Sequence, residues 1–194
     1  MYYELVIQAF WLILPAYIAN ASALLLGGGL PIDFGKKWND GNRILGNGKT
    51  WRGLFIGTFI GMTSGFGFSI ISKFAFNIDF PIKINDFTGF PLMIPILFSL
   101  CFGALMGDII ESFFKRRIGK KRGENWIPFD QLDFILGVLF FSFIMSGFLQ
   151  FLNLTKENWF LASFSLYHII ILLIFTPFIH LFANYVHRKS KKSI

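Results

Sequence analysis

Hydrophobic and polar positions alternate on a long scale in this chain. Five stretches contain no Asp, Glu, Lys or Arg: 5–32, 53–72, 87–107, 134–155 and 158–187. A helix needs roughly 20 residues at 1.5 Å rise to cross hydrocarbon, and each stretch meets that length. The pattern predicts an all-α polytopic membrane protein with five transmembrane helices, near 5–26, 53–73, 91–113, 133–153 and 162–186, forming one integral membrane domain over 1–194. The first run reads as a retained span and not a cleaved signal, because Met1–Glu4 carries no basic residue and the apolar run continues past Ala23. Composition agrees: 54% hydrophobic against 15% charged residues, with 27 Phe, is more apolar surface than a soluble domain of this size can hide. A soluble enzyme, a disordered chain and a disulfide scaffold are excluded, the last because Cys101 is the lone cysteine and lies inside the third run.

The charges orient the spans. Of 18 Lys and Arg, five lie at 36, 37, 43, 49 and 52, six at 115–117 and 120–122, and four at 188, 189, 191 and 192. Only Lys73, Lys83 and Lys156 fall on the other side, and this fifteen-to-three division follows the positive-inside rule. The expected topology has the N-terminus outside, the C-terminus cytoplasmic, and loops 27–52 and 114–132 facing the cytoplasm. Net charge of +7 therefore reports topology and not a nucleic-acid partner. The two inner loops also mix bases with acids and glycines, which topology does not require.

Glycines recur at 53, 57, 61 and 65 in the second span and at 103 and 107 in the third. Such smooth faces let helices approach closely where apolar burial gives no driving force, and the expectation is that these two faces meet. That contact would bring the inner ends of the second and third spans together.

The third span ends in the chain's densest chemistry. Asp108, Glu111, Ser112 and Lys115 fall on one helix face. Glu111 and Lys115 make a favourable i,i+4 pair, which explains them as a helix end; Asp108 is a carboxylate at the limit of an apolar run, costly there and a functional candidate. Asp130 and Asp133 open the fourth span on the same face of its first turn. Acids suit a helix N-terminus, yet together with Asp108 they also make an oxygen-rich site for Mg²⁺, which takes one or two carboxylates plus substrate phosphates. The flanking Lys and Arg then suit phosphate.

The first inner loop contains Gly48-Lys49-Thr50, but a Walker A needs glycine where Arg43 stands, and no βαβ unit surrounds it. What remains is a loop with seven glycines whose amides can approach an anion, and Lys49, Thr50 and Arg52 at a helix N-terminus that favours phosphate.

These residues resemble a known family. The Asp108–Arg117 run, then Arg122-Gly and Asp130-Gln-Leu-Asp133, is similar to the signature of CDP-diglyceride synthases, which has a Ser-x-x-Lys-Arg segment and ends Asp-Arg-x-Asp. The five-span length, Gly-Gly-Gly-x-Pro-Ile-Asp-Phe-Gly at 27–35 and Asp-Gly-x-Arg-x-Leu-Gly-x-Gly-Lys-Thr-Trp-Arg-Gly at 40–53 resemble the archaeal branch, the CDP-archaeol synthases. Gln131 departs from the bacterial Arg, as the archaeal branch does. The resemblance implies transfer of CMP from CTP to an isoprenoid ether lipid phosphate, the digeranylgeranyl glycerol phosphate, with Mg²⁺ and release of pyrophosphate. It implies a cell-membrane enzyme with a cytoplasmic site and leaves room for a homodimer.

On this reading Asp108, Asp130 and Asp133 hold the metal, and these with Lys115 carry catalysis. Lys49, Thr50, Arg52, Glu111, Ser112, Arg116, Arg117 and Arg122 bind the substrates. The rival reading is a transporter or flippase for an anionic lipid or solute, which predicts discontinuous spans and inverted halves that five spans do not offer. A CDP-alcohol phosphotransferase would need Asp-x-x-Asp-Gly-x-x-Ala-Arg, a string the chain lacks.

Overall fold

The computed structural model describes residues 2–121, 124 and 126–190, with side chains between residues 3 and 179. Its elements are α1 (Tyr2–Leu26), α2 (Trp51–Asn77), α3 (Met93–Arg117), α4 (Phe129–Phe151), α5 (Trp159–Ser163) and α6 (Leu166–Ser190). The first four are long and apolar enough to cross a membrane. The uncharged run 158–187 is broken after Ser163 into the short α5 and the 25-residue α6, whose stretch with described side chains, Leu166–Ile179, is apolar. The break is local hydrogen bonding. Ser165 turns its Oγ to the His168 amide at 3.3 Å and starts a new helix there, as serine at an N-cap does.

The core runs through the middle of the bundle, where Leu12 and Ile13 of α1, Ile96 and Leu100 of α3, and Phe134 and Val138 of α4 are fully or nearly fully buried. Phe55, Phe59, Phe140 and Phe148 point outward, each more than half exposed, as a face toward lipid requires.

The glycine faces are used, but not against each other. A Cβ built on Gly57 or Gly61 of α2 would meet α1, at 2.7 Å from the Ala19 carbonyl oxygen and 2.8 Å from that of Pro15, while Cys101 of α3 lies 2.7 Å from the second. Gly103 and Gly107 of α3 instead face α4, where they meet the backbone of Gly137 and Asp133. The expected contact between the two glycine faces is therefore corrected. Two small residues on opposed helices let backbones touch, and here the small partner of α3 is Gly137, in a helix with few other small residues.

Both basic loops lie at one end of the bundle, joined by bonds from Arg116 and Arg117 to the carbonyls of Leu45 and Arg43. At the opposite end, segment 83–87 is strapped across the helices. The Lys83, Ile84, Asn85 and Asp86 carbonyls accept from Gln8, Ser72, Trp11 and Ser69, and Phe87 is fully buried. A cavity reaching the interior therefore opens from the basic end.

Candidate active site

The first loop folds on its own carboxylate. Antiparallel bridges pair Pro31 with Thr50 and Lys37 with Arg43. Asp33 sits inside, its side chain shielded from solvent, and accepts the amides of Gly35 (3.1 Å), Leu45 (3.0 Å) and Gly46 (3.0 Å) as well as the Arg43 guanidinium (2.6 Å). Burial by itself would raise this carboxyl's pKa, but Arg43 and the three amides outweigh it and hold it well below the usual carboxylate range. The anion that the glycine-rich backbone approaches is thus internal. The glycines serve the turns, Gly46 at φ +104° and Gly35 at φ +80° giving conformations that side chains rarely adopt.

The loop ends by delivering Lys49 and Thr50 to the start of α2. Thr50 is the N-cap, its Oγ1 accepting from the amides of Gly53 and Gly28, both at 3.1 Å. Lys49 reaches across to α3, where its Nζ stands 2.5 Å from Asp108. Beneath them lies a cavity of about 470 Å³, lined by Tyr17 and Asn20 of α1, Lys49 and Thr50, Asp108 of α3, and Asp130 and Asp133 of α4.

On its α3–α4 side, Asp108, Glu111 and Asp133 each present an oxygen within 4.8 Å of the others. What holds Asp133 there is the glycine contact. A Cβ on Gly107 would fall on the Asp133 carbonyl oxygen and lie 3.0 Å from its carbonyl carbon, so only glycine lets α4 come this close to Asp108. Asp130 lines the same cavity and contacts the Glu111 carboxyl, while accepting from Lys115 Nζ at 2.5 Å and from the Trp126 amide at 2.8 Å. Lys115 is buried, with Glu111 at 3.8 Å as its second partner. The described residues therefore gather Glu111, rather than Asp130, with Asp108 and Asp133. Octahedral Mg²⁺ at about 2.1 Å from each ligand separates oxygens by roughly 3 to 4.2 Å, so the triad fits one such ion after closing by a fraction of an ångström.

A second cavity of about 390 Å³ lies against the other side of the same helices. Its walls are Ile110, Phe114, Phe129, Leu136, Phe140 and Phe141, with Glu111 and Asp133 at its polar edge. Asp133 lines both cavities.

Other expected site residues are placed differently. Arg52 is exposed and does not line the polar cavity. Ser112 is buried beside Glu111, 3.5 Å from its carboxylate. Arg116 and Arg117 donate to first-loop carbonyls. Arg122 lies outside the described residues. Tyr17 and Asn20 escaped sequence reasoning; the available signal was two polar side chains three apart near the inner end of an uncharged run.

The family model described as CarS-like: CDP-archaeol synthase matches residues 2–192. The chain is 42% identical over 188 residues to the CDP-archaeol synthase of Thermococcus kodakarensis, covering 96% of this chain and 94% of that protein. It is 42% identical over 175 residues to that of Methanococcoides burtonii, covering 89% and 93%. A solved structure described as an intramembrane enzyme for archaeal membrane lipids biosynthesis superposes with a TM-score of 0.68 at 31% identity, covering 93% of this chain and 94% of that one.

Proposed function

The chain belongs to the CDP-archaeol synthase family, and from that premise we propose how its site works. It is a multi-pass membrane cytidylyltransferase that transfers CMP from CTP to an isoprenoid ether lipid phosphate, giving CDP-archaeol and pyrophosphate. A phosphate oxygen of the lipid attacks the α-phosphorus of CTP, the bond to the β-phosphate breaks, and pyrophosphate leaves in line. Nothing in this step requires a covalent enzyme intermediate, so positioning and charge stabilisation carry it.

The observation that carries the reading is the place of Asp133, in the shared wall of a polar cavity and an apolar groove. The polar cavity takes the nucleotide. The groove takes the lipid's chains, with its phosphate brought to the acidic edge. Asp108, Glu111 and Asp133 would hold the divalent cation, Mg²⁺, which would supply positive charge against the phosphates. Lys49, beside the positive end of α2, donates to phosphate oxygens there. Asp130 fixes Lys115, whose ammonium then faces Glu111 and balances the acids. The first-loop end of the bundle is the cytoplasmic one, supported by the fifteen-to-three distribution of bases. A transporter of anionic lipid draws no support from the family match.

The test is an assay of the purified protein with labelled CTP and phosphate lipids bearing isoprenoid ether or acyl ester chains, with and without Mg²⁺. Mg²⁺-dependent formation of CDP-lipid and pyrophosphate is expected. No transfer to any lipid refutes the activity; transfer that is indifferent to divalent cation removes the metal site.

A further inference from the structure

The basic run ending α3 has an arrangement that phosphate binding does not explain. Arg117 makes four contacts within the protein. Its Nη1 donates to Asp40 Oδ1 at 2.9 Å and its Nη2 to the Arg43 carbonyl at 2.6 Å. Its plane lies over two rings, Phe113 of its own helix at 5.1 Å and Trp38 of the first loop at 5.8 Å. Those rings meet edge to face with centroids 5.6 Å apart. Next to it, Arg116 Nε donates to the Leu45 carbonyl at 3.2 Å, and its Nη1 to the Lys120 carbonyl. Both Nη groups of Arg117 are thus engaged within the protein, two rings pack against one side of its guanidinium, its Nε is buried, and its side chain is only 17% exposed.

The contacts continue to the site without a gap. Arg43, whose carbonyl Arg117 holds, pairs with Asp33 and donates to Asn47 at 2.8 Å. Asp33 in turn fixes the amides of Leu45 and Gly46. Two residues past Asn47, Lys49 stands on Asp108. One end of this chain is anchored in the last turn of α3, and the other meets Asp108 on the same helix. The first loop is therefore referenced to the helix that carries the acids.

We infer that Arg117 is a positioning residue: with Asp40 and Trp38 it clamps the first inner loop to α3 and so sets where Lys49 stands over Asp108, rather than binding phosphate itself. The planar fork suits this work, since two donors fixed in one plane, with aromatic rings packed beside it, set an orientation that a point charge does not. The inference rests on the nucleotide occupying the polar cavity under Lys49.

Its test compares the full chain in detergent with Arg117→Gln, Arg117→Lys, Asp40→Ala and the Arg117→Gln/Asp40→Ala double variant. For each, kcat, the KM for CTP, the KM for lipid and the Tm are measured. Expected is a rise of about tenfold in the KM for CTP in Arg117→Gln, with the KM for lipid unchanged. Asp40→Ala, a residue outside the cavity lining, should raise the same constant by about threefold, and the double variant should be no worse than Arg117→Gln, because both remove one contact. Arg117→Lys should resemble Gln. A Lys variant close to wild type, or additive effects of the two changes, marks a phosphate contact and overturns the clamp. A lowered Tm with an unchanged KM for CTP reduces Arg117 to a merely structural residue and overturns it equally. Amide exchange at Leu45 and Gly46 separates this inference from the activity. If wild type transfers no CMP, faster exchange of about tenfold in Arg117→Gln still supports the clamp, and unchanged exchange sinks it.

Discussion

Gly107→Ala is the sharpest test of how the acids are brought together. The new Cβ would sit more than an ångström inside ordinary contact with the Asp133 carbonyl oxygen, 3.0 Å from its carbonyl carbon and 3.1 Å from Gly137 Cα. All three are backbone atoms, so no side chain can swing aside, and α3 and α4 must part by about the missing ångström. Overpacking of that kind costs about 1–3 kcal/mol. The effect on the site is larger than the effect on stability. Asp133 moves with the α4 backbone while Asp108 and Glu111 stay on α3, and an acid triad now within 4.8 Å opens beyond the reach of one magnesium ion. Misplacement of about 1 Å at a reacting centre costs on the order of 100-fold in rate. We expect kcat/KM to fall by about that factor, with the Mg²⁺ midpoint displaced upward and the Tm lowered by a few degrees. The assay is CMP transfer across a Mg²⁺ titration, alongside thermal unfolding in the same detergent. Gly67→Ala, at a position with open space around it, is the control. A Gly107→Ala protein that loses Tm but keeps its rate and Mg²⁺ midpoint would refute the claim that this glycine sets the spacing of the acids.

Three further outcomes are expected. Asp33→Ala strands three loop amides, a loss of about 3 kcal/mol at roughly 1 kcal/mol each, so Leu45 and Gly46 should exchange on the order of 100-fold faster. With Asp33→Asn the sign of the pH dependence is testable. Asp33 is depressed in the folded state, so its contribution is complete above the ordinary carboxyl value of about 3.9 and is lost as pH falls through the folded value. The wild-type advantage in amide protection should be constant from about pH 8 to 5 and shrink only below about pH 4; a decline already at pH 6 contradicts the assignment. In α2, Gly61→Leu must push into Ala19 and Cys101 and should lower the Tm by several degrees, while Phe59→Leu on the exposed face should leave it within a degree or two; equal tolerance removes the packing argument.

Some of this was legible in the sequence for physical reasons that can be named. Asp108 stood out because a carboxylate at the end of an apolar run is costly whatever surrounds it. The centres of α2, α3 and α4 followed from the uncharged runs, but their ends did not: α3 continues through Asp108 to Arg117 and α4 begins before Asp130. That Glu111 would lie together with Asp108 and Asp133 did not follow. Spacing of three puts Asp130 and Asp133 roughly 60° apart around a helix, enough for one to lie by Asp108 and the other by Lys115, both on α3. Which does which depends on the rotation of α4, and that is set by Gly137 against Gly103 and Gly107. Likewise, a basic run states its charge but not the direction of its forks: Arg116 and Arg117 read as phosphate ligands and turned out to hold carbonyls. The seven glycines suggested a bound anion, and the anion is Asp33, twelve residues before the Leu45 amide it accepts.

The shared wall at Asp133 has a thermodynamic consequence. One substrate is soluble in water and the other in hydrocarbon, and lifting a chain of about 20 carbons out of the bilayer would cost on the order of 10 kcal/mol. A catalyst that met its lipid in water would carry that cost in every turnover. Here a single carboxylate borders the aqueous cavity on one side and a phenylalanine-walled groove on the other, both within the span of α3 and α4. The lipid can keep its tails in their own solvent while only its headgroup crosses to the acids. The chemistry is then situated at a phase boundary, and the rate should respond to the lipid's mole fraction in the membrane, not to its amount per volume of solution.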